Sequence, residues 1–252
     1  MATITSVGSG LWSVAGTWDA GVPADNDVVV IAEGHTVEFD VDQSGFANGI
    51  DGLTITGTLK LTRTAGTYQF KLKAAKSIGG NGTFDCGTVG DQIPFNVKFT
   101  LLFNGAGCTI TNGVTLNVYG QNPTYKQVRL TADAIVGATV LSIDTDLTGD
   151  IWADGDQIGI DTITVVGQAK NEDRYIAVGG ITSNSITITA GLTYKKDAGD
   201  YVTLMTRHLR MQGVSNCWSF KSTSVVHGAW FSANSGGWLV GTSAMCSGDC
   251  VY

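Results

Sequence analysis

Apolar and polar residues alternate in short runs along much of the chain. Thr54-Ile55-Thr56-Gly57-Thr58-Leu59-Lys60-Leu61 has this pattern, as do Tyr68-Gln69-Phe70-Lys71-Leu72-Lys73, Asn96-Val97-Lys98-Phe99 and Thr115-Leu116-Asn117-Val118-Tyr119. A period of two places alternate side chains on opposite faces, so each run predicts a β-strand with one buried and one wetted face. Between the runs stand Ala32-Glu33-Gly34, Gly79-Gly80-Asn81-Gly82, Asn104-Gly105-Ala106-Gly107 and Asn112-Gly113, all turn-forming. A turn every ten residues or so fits stacked strands or a sandwich and leaves no room for an ordinary helix.

The pattern changes near Gln121-Asn122-Pro123-Thr124. Beyond it come Lys126 to Leu130, the run Ala134 to Ile143, an acidic stretch from Asp144 to Asp161, then Tyr175 to Val178 and Ser185 to Thr189. This reads as a small β-barrel or β-sandwich module. After about Val202 the earlier pattern returns, with Trp218, Phe220, Trp230, Phe231, Trp238 and Leu239 as bulky packing residues. The expected organisation is a glycine-rich β-stack over 1–125, a small β-barrel-like module over 126–203, and returning strands with a C-terminal interface segment over 204–252.

Glycine supplies 34 of the 252 residues and proline only three, so turns fall to Gly, Asn and Asp. Net charge is −7, and the longest basic cluster is the pair Lys195-Lys196. Nucleic-acid binding needs concentrated positive charge and is not expected. No apolar run approaches the ~18 residues of a membrane span. The opening Met1-Ala2-Thr3-Ile4-Thr5 has neither a basic nor an apolar leader segment, so the product is expected to remain in the cytoplasm of its producer, leaving by lysis or inside a particle.

Candidate chemistry is sparse. Five cysteines, Cys86, Cys108, Cys217, Cys246 and Cys250, are odd in number and irregular in spacing, which favours buried thiols. Cys246 and Cys250 form the only close pair; the alternatives are a terminal disulfide or half of a metal site with Cys217 and His227. Asp144, Asp146 and Asp150 suggest a calcium loop, but Thr148 and Gly155 stand where such a loop requires ligands, so turn-forming aspartates are expected. Asp154 and Asp156 flank Gly155 and would be a glycosidase pair only if geometry brought them together. His35, His208 and His227 accompany no nucleophile-elbow or zinc-helix motif. Glu172-Asp173-Arg174 with Arg207 suggests a buried ion pair fixing the barrel against the stack. These residues together predict no catalytic site, no metal and no cofactor, and they define no binding residues.

One set of positions resembles a known family. Trp12, Gly16, Thr17 and Trp18, then Gly21-Val22-Pro23, Asp27 to Ile31, Gly34-His35-Thr36-Val37-Glu38-Phe39-Asp40, Leu53 to Leu59, and Ile78 to Phe84 are similar to the eight-glycine domain of fibrocystin and of cell-surface hyaluronan-processing proteins. Trp152 to Ile158, Asn171-Glu172-Asp173, Leu192 to Tyr194 and Thr206 to Gly213 resemble the segment that leads those proteins into a right-handed parallel β-helix. The resemblance implies an all-β chain: a right-handed parallel β-helix-like stack with an inserted small β-barrel or β-sandwich module. Trp12, Trp18 and Pro23 are expected to cover its first rung.

The functional expectation is a non-enzymatic structural or attachment protein of a virus particle, such as a tail, baseplate or capsid-surface component of a tailed phage. Expected partners are further copies of itself, three by likeness to phage β-helix proteins, along with other virion proteins and a host surface glycan. The alternatives are a polysaccharide-binding module and an enzyme that degrades such a glycan.

Overall fold

The structure, a computed structural model, describes residues 1–105, 108–111, 113–162 and 170–206 in full. It also describes the backbone of strands at 209–213, 218–220, 226–227, 229–233 and 238–239. Described residues are strand, turn or irregular, apart from single-turn 3-10 geometry such as Ala15–Thr17. None of them forms a helix long and apolar enough to cross a membrane.

The chain divides into two compact units, residues 1–121 with 207–252, and residues 122–206. The first begins with β1 (Thr3–Thr5), β2 (Gly10–Leu11), β3 (Val28–Ile31), β4 (Thr36–Phe39), β5 (Leu53–Ile55) and β6 (Thr58–Leu61). It continues with β7 (Gly66–Lys73), β8 (Ser77–Gly80), β9 (Thr83–Cys86), β10 (Val97–Asn104), β11 (Cys108–Ile110) and β12 (Thr115–Tyr119). The second unit holds β13 (Gln127–Arg129), β14 (Val140–Ser142), β15 (Gln157–Asp161), β16 (Glu172–Ile181), β17 (Ser185–Ile188) and β18 (Tyr201–Leu204). The first unit then resumes with β19 (Leu209–Gly213), β20 (Trp218–Phe220), β21 (Val226–His227), β22 (Ala229–Ala233) and β23 (Trp238–Leu239).

In the first unit consecutive strands go to different sheets, and each strand pairs in parallel with its counterpart from an earlier or later pass of the chain. The first sheet runs β1-β3-β5-β8-β11-β20-β23, the second β2-β4-β6-β9-β12-β21 and the third β7-β10-β19-β22. Register stacks like on like. Ile4, Val29, Leu53, Ile78 and Ile110 form one buried row across the first sheet. Val37, Leu59, Phe84 and Leu116 form another across the second. An edge-to-face series of rings fills the space between sheets: Trp12 lies 5.2 Å from Phe39, Phe39 lies 5.9 Å from Phe99, and Phe99 lies 6.2 Å from Phe84.

Thr54 to Leu61, which alternates as though it were one strand, is divided at Gly57. Leu53–Ile55 joins the first sheet and Thr58–Leu61 the second. The reason is a corner: a Cβ on Gly57 would lie 2.3 Å from the carbonyl oxygens of both Ala32 and His35. The next pass repeats the device, since a Cβ on Gly82 would lie 2.2 Å from the Gly57 oxygen. Glycine lets successive passes turn within backbone contact of one another.

The expected covering of the first rung is present in part. Trp12 and Trp18 are both buried with ring centroids 4.9 Å apart, and the Trp18 indole N–H donates to the Trp12 carbonyl at 2.8 Å. Pro23 is buried as well.

The second unit is an antiparallel sheet in the order β13-β18-β15-β16-β17-β14. A Leu130–Ile143 bridge, together with Thr131 N–H donating to the Ser142 oxygen at 3.0 Å, joins its two outermost strands. Its separate core includes Leu141, Trp152, Ile158, Ile160, Ile186 and Val202. The run Ala134 to Ile143 is strand only over Val140–Ser142, and Ile135 and Val136 are exposed because Gly137, at φ +85°, turns the chain there.

Candidate functional site

The outer face of the second sheet carries polar residues in aligned rows. With inward positions taken by Val37, Leu59, Phe84 and Leu116, the residues between them must face outward. The registers align Thr36, Thr58, Thr83 and Thr115 in one row on β4, β6, β9 and β12. Glu38, Lys60, Asp85 and Asn117 align in the adjacent row. Strand spacing in a sheet is about 4.8 Å, so each row repeats hydroxyl or charged groups at that interval.

Charges in and beside the second row bind one another. Lys60 lies 2.9 Å from Asp91, and Arg63 lies 3.3 Å from Asp85 and 3.2 Å from Asp91. Arg63 also donates to the Leu61 and Asp91 carbonyls, and Asp85 accepts the Gly87 N–H at 2.7 Å. The Lys60 hydrogen bond, with Arg63 nearby, holds the Asp91 carboxyl below its ordinary value. At another corner Asp51, buried, lies 2.9 Å from Lys76 and 3.5 Å from Lys73. The Lys76 bond, opposed by burial, sets that carboxyl low too. The first row therefore presents hydroxyls on the surface, while Lys60 and Asp85 of the second row are engaged in ion pairs with Asp91 and Arg63.

The second unit encloses a charged cluster. Glu172 and Lys196 are both buried, with the ammonium 3.6 Å from the carboxylate. Lys196 also donates to the Ile160 carbonyl at 3.1 Å and to that of Lys170. Glu172 accepts the Thr193 N–H at 2.8 Å and pairs with Arg174, whose guanidinium further donates to the Gly191 carbonyl and the Thr193 hydroxyl. Burial pulls the Lys196 amine below its ordinary value, opposed by Glu172, Asp200 and Asp161. An amine with three acceptors around it is a structural anchor that ties the 193–196 turn to the ends of β15 and β16.

The Glu172–Arg174 pair forms, within the second unit; Arg207 lies outside the described residues. Lys196, the third member, is missed by sequence reading because Lys195-Lys196 looks like an ordinary surface pair, and Lys195 indeed lies on the surface, bonded to Asp133 and Asp197. Asp146 holds its own turn, accepting the Thr148 N–H at 2.9 Å, whereas Asp144 and Asp150 tie distant segments, accepting the N–H groups of Arg129 and Tyr125 at 3.0 and 2.9 Å. Asp156 accepts the Ala153 N–H and Asp154 that of Gly179, so Trp152 to Asp156 is a turn leading into β15.

His35 is bonded through Nδ1 to the Ser6 hydroxyl at 2.9 Å, and the same oxygen accepts the Ala32 N–H. Ser6 is buried, which makes the pair a tie between passes of the chain. Cys86 and Cys108 are buried free thiols, and burial pushes both thiols up, away from the reactive thiolate. Cys217, Cys246, Cys250 and His208 lie outside the described residues. The side chains of His227 and of the C-terminal aromatics also lie outside them, although His227, Trp218, Phe220, Trp230, Phe231 and Trp238 have backbone in strands β20 to β23. Among the described residues no three of His, Cys, Asp and Glu gather as metal ligands.

No curated protein matches this chain. Residues 17–131, from the 3-10 turn through the parallel strands β3 to β12 and into the first strand of the second unit, match the model of the G8 domain and are similar to it.

Proposed function

We propose that the chain is a non-enzymatic structural or attachment protein of a virus particle, as in the tail, baseplate or capsid surface of a tailed phage. In this reading the first unit is a right-handed parallel β-helix-like stack, the second an inserted barrel-like module, and the working form a homo-oligomer in contact with other virion proteins. The observation that carries the proposal is the commitment of polar groups to architecture. The described carboxylates, amines and buried hydroxyl discussed above hold corners, turns and strand edges, which suits a rigid platform. Labelling particles from the producing cells with an antibody to the chain tests this. Signal on the particle surface is expected; signal confined to the particle-free fraction overturns it.

The threonine row favours a second reading, binding of a polysaccharide. Hydroxyls repeating at about 4.8 Å beside a row of charged and amide groups can hydrogen-bond a polyhydroxylated chain laid across the strands. A glycan array should then give hits that weaken in Thr58→Val/Thr83→Val. An array without hits, or hits untouched by that double substitution, removes this reading.

A further inference from the structure

Each parallel sheet of the first unit has one outermost strand from the early part of the chain: β1, β2 and β7. An outermost strand presents unpaired N–H and C=O groups on which another strand can template. Here several of those groups are occupied, some of them by side chains. On β1 the Thr5 N–H donates to the Asp19 carboxylate at 2.8 Å, while the Thr5 carbonyl accepts the Asp19 N–H at 3.0 Å. Val7 N–H just beyond donates to the Thr17 carbonyl at 2.9 Å. On β2 the Leu11 carbonyl accepts the Thr17 hydroxyl at 2.9 Å.

The coverage of β7 is the most complete. Gln43 acts there as a short substitute strand: its N–H donates to the Gln69 carbonyl at 2.9 Å, and its side-chain oxygen accepts the Lys71 N–H at 3.0 Å. Ile50 takes the next pair, donating to the Lys71 carbonyl at 2.8 Å and accepting from the Lys73 N–H at 3.0 Å. The intervening segment is fastened from three directions. Asp25 accepts the Gly49 N–H at 2.6 Å, Asn104 donates to the Asn48 carbonyl at 2.8 Å, and Lys71 donates to the Phe46 carbonyl at 2.5 Å. Gly49, at φ +101°, has no Cβ to strike the Lys71 oxygen 2.5 Å away, and this lets the main chain come close enough to pair.

We infer that Asp19, Thr17 and Gln43 form a cap whose task is to prevent strand addition by a second copy of this chain. The excluded partner follows from the sheets themselves. Among the described residues their opposite edges are β23, β21 and β22, parallel strands of the same three sheets. A second copy joined end to end would therefore continue all three sheets in the same strand direction. Such a contact is heterologous, so nothing closes it and it grows into a filament.

The test uses the full chain with Asp19→Ala/Gln43→Ala, followed by sedimentation velocity across a concentration series. Far-UV circular dichroism checks the fold. The weight-average mass of the double variant should rise with concentration while that of the parent stays constant. Asp19→Asn, which retains an acceptor oxygen, should behave as the parent. A folded double variant with a constant, parent-like mass overturns the inference. If the double variant fails to fold, Asp19→Ala alone, at an exposed position, decides in the same way, since it uncovers the Thr5 N–H without emptying buried space.

Discussion

Trp18→Ala should clearly destabilise the first unit. The ring is 4% exposed, packs edge-to-face on Trp12 at 4.9 Å, and donates its indole N–H to the Trp12 carbonyl. A buried tryptophan removes about 150–250 Å² from water, which at about 25 cal/mol/Å² corresponds to about 4–6 kcal/mol as an upper bound. Measured Trp→Ala losses of about 3–5 kcal/mol agree, and the lower half of that range is expected because a site near the end of a stack can partly collapse or admit water. Trp18→Phe separates the contributions: it keeps most of the ring contact and loses the hydrogen bond, for about 1–2 kcal/mol. Urea unfolding followed by far-UV circular dichroism measures both, with the slope fitted independently for each variant. A loss under about 1 kcal/mol for Trp18→Ala would refute the assignment of this ring to the core. Equal losses for Ala and Phe would show that the hydrogen bond, not the ring contact, dominates.

Other consequences follow from the same geometry. Lys196→Met leaves buried Glu172 with Arg174 as its remaining cation and should lower stability by about 3 kcal/mol or more; a double variant with Glu172→Gln should lose less than the two single losses added, as read from urea midpoints. The carboxyls of Asp51 and Asp91 lie below their ordinary values when folded, so their contribution is complete above the unfolded value near ~3.9 and disappears as pH falls through the folded values. Melting temperature should therefore drop in acid, and Asp51→Asn should lower it at neutral pH while flattening part of the acid dependence. Gly82→Ala, with its new Cβ 2.2 Å from the Gly57 oxygen, should cost about 1–3 kcal/mol, whereas Gly8→Ala, which meets nothing within 4 Å, should leave the urea midpoint close to the parent's.

Period-two alternation is written into the residues themselves, so the sequence was sufficient to predict an all-β chain and which face of each strand is buried. Val37, Leu59, Phe84 and Leu116 could be assigned to the core, and the threonines beside them to the surface, because side-chain direction alternates whatever the strand pairs with. The change of character near Asn122 was legible for the same reason: turn chemistry and strand spacing are local properties.

Strand partners are not local, and alternation does not encode them. Thr115 to Tyr119 and Ser185 to Ile188 have the same pattern, yet β12 pairs in parallel with β9, and β17 pairs antiparallel with β14 and β16. The length and route of the connections decide between these outcomes. Gly57 shows the same limit at closer range, since only the approach of the Ala32 and His35 carbonyls makes it a corner rather than a weak point within one strand. Lys196 is buried where its neighbour Lys195 is exposed because three acceptors, Ile160, Lys170 and Glu172, converge on its amine from positions 24 to 36 residues earlier. Gln43, a polar residue without a motif, becomes the cover of a strand edge for a similar reason. A hydrogen-bond partner distant in sequence exists only once the chain has folded, and tertiary structure alone supplies it.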